Sequence, residues 1–142
     1  MKAISINQPW AWLILYGGKW LENRTWRTPY RGRLAIHAGQ SRRWLSDWYM
    51  VGRPMDDGLP PLDDLVFGRI IGTVELVDCV RSTDDQVRRS RWNDGSGWCW
   101  ILRDPRAVDP VVYCRGRQRL FEVSHIGTPG RRTKPPTEET GR

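Results

Sequence analysis

Histidine, paired cysteine and long apolar runs are all scarce in this sequence, and each scarcity removes a class of protein. The two histidines, His37 and His125, and the three cysteines, Cys79, Cys99 and Cys114, include no C-x-x-C spacing, so neither a zinc ribbon nor a disulfide framework is supported. No metal or other cofactor is expected, and an odd number of thiols fits a reducing compartment. The longest apolar run, residues 10–16, falls far short of the roughly 20 residues that span a bilayer. Ser5, Asn7, Gln8 and Pro9 interrupt the N-terminus where a signal peptide would carry its apolar core. The expectation is a soluble cytoplasmic protein that makes no membrane contact.

What is abundant is positive charge and tryptophan. The 142 residues suit one domain, and 39% hydrophobic content supplies a core. A net charge of +7 favours an anionic partner: nucleic acid, an acidic surface or an anionic metabolite. Nine Trp stand against two Phe. Indole rings pack along one edge and offer an N–H at the other, so they suit half-open clefts as well as cores. The two meet in G-G-K-W-L-E-N-R-T-W-R-T-P-Y-R-G-R, Gly17 to Arg33, where five cations and three large rings accompany a single acid, Glu22. Cations interleaved with flat rings are what a surface needs to meet phosphate and unpaired bases.

Read in order, Lys2 to Asn7 alternates as a short strand, and Asn7 or Gln8 can cap a helix with Pro9 in its first turn. Gly17-Gly18 stops that helix and delivers the chain to Lys19. From Trp20 to Trp26 an extended segment would put Trp20, Glu22, Arg24 and Trp26 on one face. Arg33 to Ala38 is a strand with Leu34 and Ile36 inward and His37 opposite, and Ser41 to Met50 a short helix. Gly52 to Asp64 is an acidic loop. Arg69 to Val80 is the strongest strand, with Ile70, Val74 and Leu76 on one face and Thr73 and Glu75 on the other. Arg81 to Gly97 is a polar, mobile connection; Gly97 to Leu102 a strand; Pro105 and Pro110 bracket a turn before two short strands, Val111 to Tyr113 and Leu120 to Val123. Between them Arg115, Arg117 and Arg119 alternate. Residues 127–142 contain no aliphatic or aromatic side chain and are expected to form a flexible, disordered tail after a folded body of 1–126. The fold class is α+β, mainly β: a small barrel with flanking helices.

The ordered set S-I-N-Q-P-W-A-W-L-I at 5–14, G-x-K-x-x-E-x-R on Gly17, Lys19, Glu22 and Arg24, R-G-x-L-x-I-H-A at 31–38, G-x-V at 72–74 and W-C-W at 98–100 resembles an ASCH domain of the PUA-like superfamily. The resemblance runs from about Ala3 to Val123. It implies a PUA-like β-barrel and a cleft lined by the lysine–glutamate–arginine motif, associated in that superfamily with RNA or modified bases. Some relatives hydrolyse acetylated cytidine and others are described as ribonucleases. The deacetylating type has a threonine three residues after its lysine, where this chain has Glu22.

The expected site therefore comprises Lys19, Glu22, Arg24, Trp26, Arg27, Arg31, Arg33, His37, Glu75, Trp98 and Trp100. Lys19 and Glu22 are either a catalytic pair, with the lysine polarising an oxygen, or a structural ion pair. Arg24, Arg27, Arg31 and Arg33 would contact phosphate, and Trp26 or Trp100 would stack on a base. Glu75 is a second carboxylate that could partner a cation, and His37 is a barrel-edge histidine or a ligand. Ser41 and Thr25 have no neighbour that would activate them, so a triad is unsupported. The expected activity is a monomeric module binding single-stranded RNA or a modified nucleoside. A small hydrolase in the same cleft is the alternative, and a domain that meets an acidic protein is a third.

Overall fold

The computed structural model describes residues 1–49 and 58–133. The chain runs β1 (Lys2–Ile6), α1 (Trp10–Tyr16), β2 (Leu21–Arg24), β3 (Gly32–Ala38), α2 (Leu45–Tyr49), β4 (Arg69–Arg81), β5 (Trp98–Tyr113), β6 (Phe121–Glu122) and β7 (Thr128–Arg132). One sheet holds all seven strands in the order β2-β5-β4-β3-β1-β6, with β7 added to β5. Only the β1–β3 pair is parallel, and α1 lies in the connection between them. An α+β, mainly β architecture is thus observed. The ladders do not close, since β2 and β6 end the hydrogen-bonded path among the described residues. Backbone pairing therefore does not form the closed barrel that the sequence led us to expect. A side chain spans from β2 to β1 instead, the Arg24 guanidinium donating to the Ser5 carbonyl at 3.0 Å.

Alternation explains most of the core. Ile4 and Ile6, Leu34 and Ile36, Val74 and Leu76, Trp100 and Leu102 bury one face of β1, β3, β4 and β5 against Ala11, Ile14 and Leu15 of α1. Gln8 caps the helix as expected: its side-chain oxygen accepts from the Trp12 N–H and its amide donates to the Val66 carbonyl, both at 2.9 Å. At the other end Gly18 takes a positive φ of 79°, and the Lys19 N–H returns to the Leu13 carbonyl.

Five expectations need correction. Ile71, not Ile70, joins Val74 and Leu76, and Ile70 packs with Ala3, Ala35 and Phe121 on the other face. The register shifts between Ile70 and Gly72 and between Ile36 and His37, and such bulges invert parity invisibly to a period-2 count. Trp20 stands before β2, packs with Leu13, Leu21 and Ile101, and leaves the face of Glu22 and Arg24. Residues 105–110 make no free turn; they continue β5, whose pairing with β4 shifts register to absorb them. Residues 81–97 are anchored rather than mobile, because Val87 and Trp92 are buried and the Asn93 amide holds the Ser82 and Val87 carbonyls. Finally, Thr128–Arg132 of the expected tail forms β7, with Val108 opposite Pro129, and Thr133 bonds the Leu15 and Pro105 carbonyls. Backbone pairing stabilises that segment without the apolar side chains whose absence argued for disorder. Residues 134–142, like Met50 and the early part of the acidic loop, lie outside the described residues.

Gly72 is the tightest point of the sheet. A Cβ there would stand 2.6 Å from the Arg106 carbonyl and 2.6 Å from a Leu15 methyl. Gly72→Ala is expected to lower stability by about 1–3 kcal/mol, as overpacking does; a denaturant midpoint equal to that of the native chain would contradict it.

Candidate functional site

The end of α1 and the start of β2 build one compact charged group. Lys19, only 3% exposed, donates to the Leu21 carbonyl at 2.6 Å and to Glu22 Oε1 at 3.0 Å. Arg24 Nη2 meets the other carboxylate oxygen, Glu22 Oε2, at 2.9 Å. Glu22 thus lies between two cations, each bonded to its own oxygen. Burial by itself would push the Glu22 carboxyl up, but the charges of Lys19 and Arg24 and their hydrogen bonds together hold it below its ordinary value. Arg24 Nε is buried without a partner.

This group floors a cavity of about 510 Å³, within the range that takes a small organic ligand. Its walls are Trp10, Trp44 and Trp92, with Ile6, Asn7 and Asn23 completing them. Trp10 and Trp44 meet edge to face at 5.7 Å, and Trp92 is buried beneath the Arg91 guanidinium at 4.0 Å. Asn23 ties β2 to the 91–94 turn by donating to the Trp92 carbonyl at 2.8 Å and accepting from the Asp94 N–H. Among the described residues the Asn7 side-chain amide has no hydrogen-bond partner. The opening therefore presents donors, a free amide and two carboxylates between aromatic walls, Glu22 held by its cations and Asp94 accepting from the Ser96 N–H.

The remaining expected residues are distributed elsewhere. Trp26 lies behind Arg24 with its edge on Trp100 at 4.8 Å, in a neighbouring recess with Arg119. Trp100 is wholly buried, a core residue with no face open to a base. Arg33 is held by Glu75 at 3.1 Å and Asp104 at 2.6 Å, so Glu75 partners Arg33 and not Lys19 or Arg24. Arg27 covers Trp98, and Arg31 bonds the Thr28 and Tyr30 carbonyls and faces Asp78; these three line a separate depression. β2, which carries Glu22 and Arg24 just after Lys19, ends at Arg24, and the chain after it turns away. Sequence reading missed Trp10, Trp44, Trp92 and Asn7. The one signal for Trp92 was a large ring, with Val87, inside an otherwise polar stretch.

His37 is 1% exposed on the outer face of β3. Its Nε2 lies 2.5 Å from the Cys114 carbonyl, an obligate acceptor, so Nε2 carries the proton and Nδ1 accepts from the Ser5 hydroxyl at 3.0 Å. Burial lowers its pKa, and the bond to Cys114 offsets part of that. Among the described residues no three His, Cys, Asp or Glu side chains converge as metal ligands. No helix among them is long and apolar enough to cross a membrane.

Both depressed groups make the folded chain sensitive to acid. The unfolded chain takes up protons at the ordinary values of 6.5 for His37 and 4.5 for Glu22, where the folded chain resists them. The stability each contributes is present above that value and is lost as pH falls below it. The thermal midpoint should thus fall in two stages on acidification, and His37→Gln should remove the first. A single stage in the native chain, confined to the carboxylate range, would contradict the His37 assignment.

The ASCH domain family model matches residues 4–111, from β1 into β5, and so includes the whole Lys19–Glu22–Arg24 group. Similar chains include Activating signal cointegrator 1 of Mus musculus and of Homo sapiens, each 29% identical over 128 residues. The alignments cover 84% of this chain and 22% of each relative, so the chain spans about a fifth of their length. With the family model matched over residues 4–111, well over half of the sequence, the chain belongs to the ASCH domain family.

Proposed function

We propose that the chain binds single-stranded RNA, or a modified nucleoside within it, by drawing one base into the cavity over Lys19, Glu22 and Arg24. The observation that carries this reading is the buried carboxylate held between Lys19 and Arg24, a group of net positive charge at the floor of an aromatic-walled cavity. A base is flat, has a π-face for Trp10 or Trp44, and bears carbonyl and amino groups along one edge. The third Lys19 proton and the Arg24 guanidinium suit its carbonyl and ring-nitrogen acceptors, while the Asn7 amide can donate and accept. Bases within a duplex have no free face, so an unpaired strand is favoured. The reading takes the chain to act as a cytoplasmic monomer, and the open sheet as a PUA-like barrel whose gap Arg24 bridges.

Hydrolysis is the weaker reading. A general base needs a free lone pair and a pKa near the working pH. Both Glu22 oxygens are occupied by cations and its pKa is depressed, while Glu75 serves Arg33. The chemistry available is charge stabilisation and hydrogen-bond readout, which suffices for binding.

Removing Lys19 leaves Glu22 Oε1 without its partner at a buried site, so wall residues give cleaner tests. Trp44→Ala removes a stacking face worth about 1–3 kcal/mol and should weaken binding of cytidine, guanosine and acetylated cytidine by roughly tenfold or more, read by calorimetry. Asn7→Ala should alter the ranking among these nucleosides. Unchanged affinity and ranking in both folded variants would refute the cavity as the base site. Release of acetate from acetylated cytidine by the native chain, lost in Lys19→Ala, would establish the enzyme instead.

A further inference from the structure

The crossing between β5 and β6 reads Arg115-Gly116-Arg117-Gln118-Arg119 and lies beyond residue 111, where the family match ends. We infer that this crossing is a phosphate-tracking ridge that carries the backbone of a single-stranded nucleic acid out of the base cavity, past Ser5 and Arg24. The inference rests on the base-binding reading and names the surface that binds the rest of the strand.

Four observations support it. First, two further recesses, of about 390 and 420 Å³, border the cavity. Ser5 lines all three, and Arg24 lines both the cavity and the recess beside Trp26, so the hollows adjoin around β1. Second, the linings of these two recesses include Arg24, Arg115, Arg117 and Arg119 and no carboxylate. Third, of the four arginines expected to meet phosphate, Arg24 is paired with Glu22, Arg31 with Asp78 and Arg33 with Glu75 and Asp104, and Arg27 lies over Trp98 in a separate depression, whereas Arg115, Arg117 and Arg119 are exposed around the cavity and have no acidic partner among the described residues. Three adjacent cations without acids repel one another, and an external anion relieves that repulsion.

Fourth, the ridge is held in place. The Cys114 carbonyl is bonded to His37, and Ala3 pairs with Phe121 on the far side. Between these anchors Gly116 presses on the sheet, a Cβ there falling 2.8 Å from the His37 ring and 3.1 Å from Ser5 Oγ. Arg115 and Arg117 flank that pressed point. Arg119 lies over the Trp26 ring at 4.0 Å, in the recess that Arg24 also lines. A planar guanidinium on an indole can pair a phosphate along its edge or continue a base stack, so ring and cation alternate along the path. An acidic peptide would satisfy the charge but not the adjoining base-sized cavity, which is why a phosphodiester is favoured.

The test compares native chain with a variant carrying Arg115→Ala, Arg117→Ala and Arg119→Ala. Its control is a charge-matched variant, Arg81→Ala, Arg88→Ala and Arg89→Ala. Each is titrated into labelled oligouridylate at several salt concentrations and into uridine 5′-monophosphate. Each phosphate contact to a single strand adds about 0.7 to the slope of log affinity on log salt, so losing three should make it shallower by about 2. The ridge variant should show that change with its mononucleotide affinity kept, and the control should show little of it. An unchanged slope in the ridge variant, or an equal change in the control, would overturn the ridge. If oligouridylate binding falls in Trp44→Ala but not in the ridge variant, the cavity stands and the ridge fails. If it falls in the ridge variant but not in Trp44→Ala, the ridge stands and the cavity reading fails. Failure of the native chain to bind oligouridylate overturns both, and oligoglutamate that binds as tightly with the same loss in the ridge variant reassigns the surface to an acidic peptide.

Discussion

A carboxylate buried between two cations organises the functional end of this fold. Glu22 uses one oxygen for Lys19 and the other for Arg24, and each cation has a backbone carbonyl as a further acceptor, Leu21 for Lys19 and Ser5 for Arg24. Taking Glu22 away strands two cations in a low-dielectric site, which typically costs about 3–5 kcal/mol, whereas taking either cation away leaves one carboxylate oxygen without its partner. The arrangement persists because every charge has a partner and most donors an acceptor. It also ties the end of α1, the edge strand β2 and the far strand β1 to one point.

That point is where the sheet fails to close by backbone pairing. A ladder between β2 and β1 would have consumed the backbone groups there and filled the gap. The Arg24 side chain spans it while leaving room on both sides, so the hollows beside it are a consequence of how the sheet ends. The cavity takes its aromatic walls from α1, from the segment before α2 and from the 91–94 turn, none of which belongs to the sheet. A rigid charged floor is thus combined with walls supplied by connections, the usual division between a scaffold and the loops that confer specificity.

The cations of the molecule sort into two populations by their neighbours. Arg33 and Arg106 share Asp104, and Arg33 also meets Glu75, forming a network across β3, β4 and β5 whose role is structural. Arg115, Arg117 and Arg119 have no such acids and stand on a segment fixed by His37 and by β6. Net charge is identical whichever arginines are paired, so the +7 of the sequence conceals this division.

By itself the sequence determined what depends on neighbours along the chain. The alternation of β1 and β3, the capping of α1 by Gln8, the glycine stop and the spacing that brings Lys19, Glu22 and Arg24 together were all legible, because separations of two to four residues fix those contacts. Tertiary structure alone decided which rings face a ligand. Trp100 looked available and is core, since β5 lies between β2 and β4 with its inner face against α1, whereas Trp44 and Trp92 come from connections that only the folded sheet brings to β2. Bulges in β4 and the pairing of β7 were hidden for the same reason: both are set by a partner strand distant in sequence. The stretch from Gly17 to Arg33 looked like one basic surface; tertiary contacts divided it into a buried charged floor, an Arg27 laid over Trp98, and Arg31 and Arg33 neutralised by acids from β4 and β5.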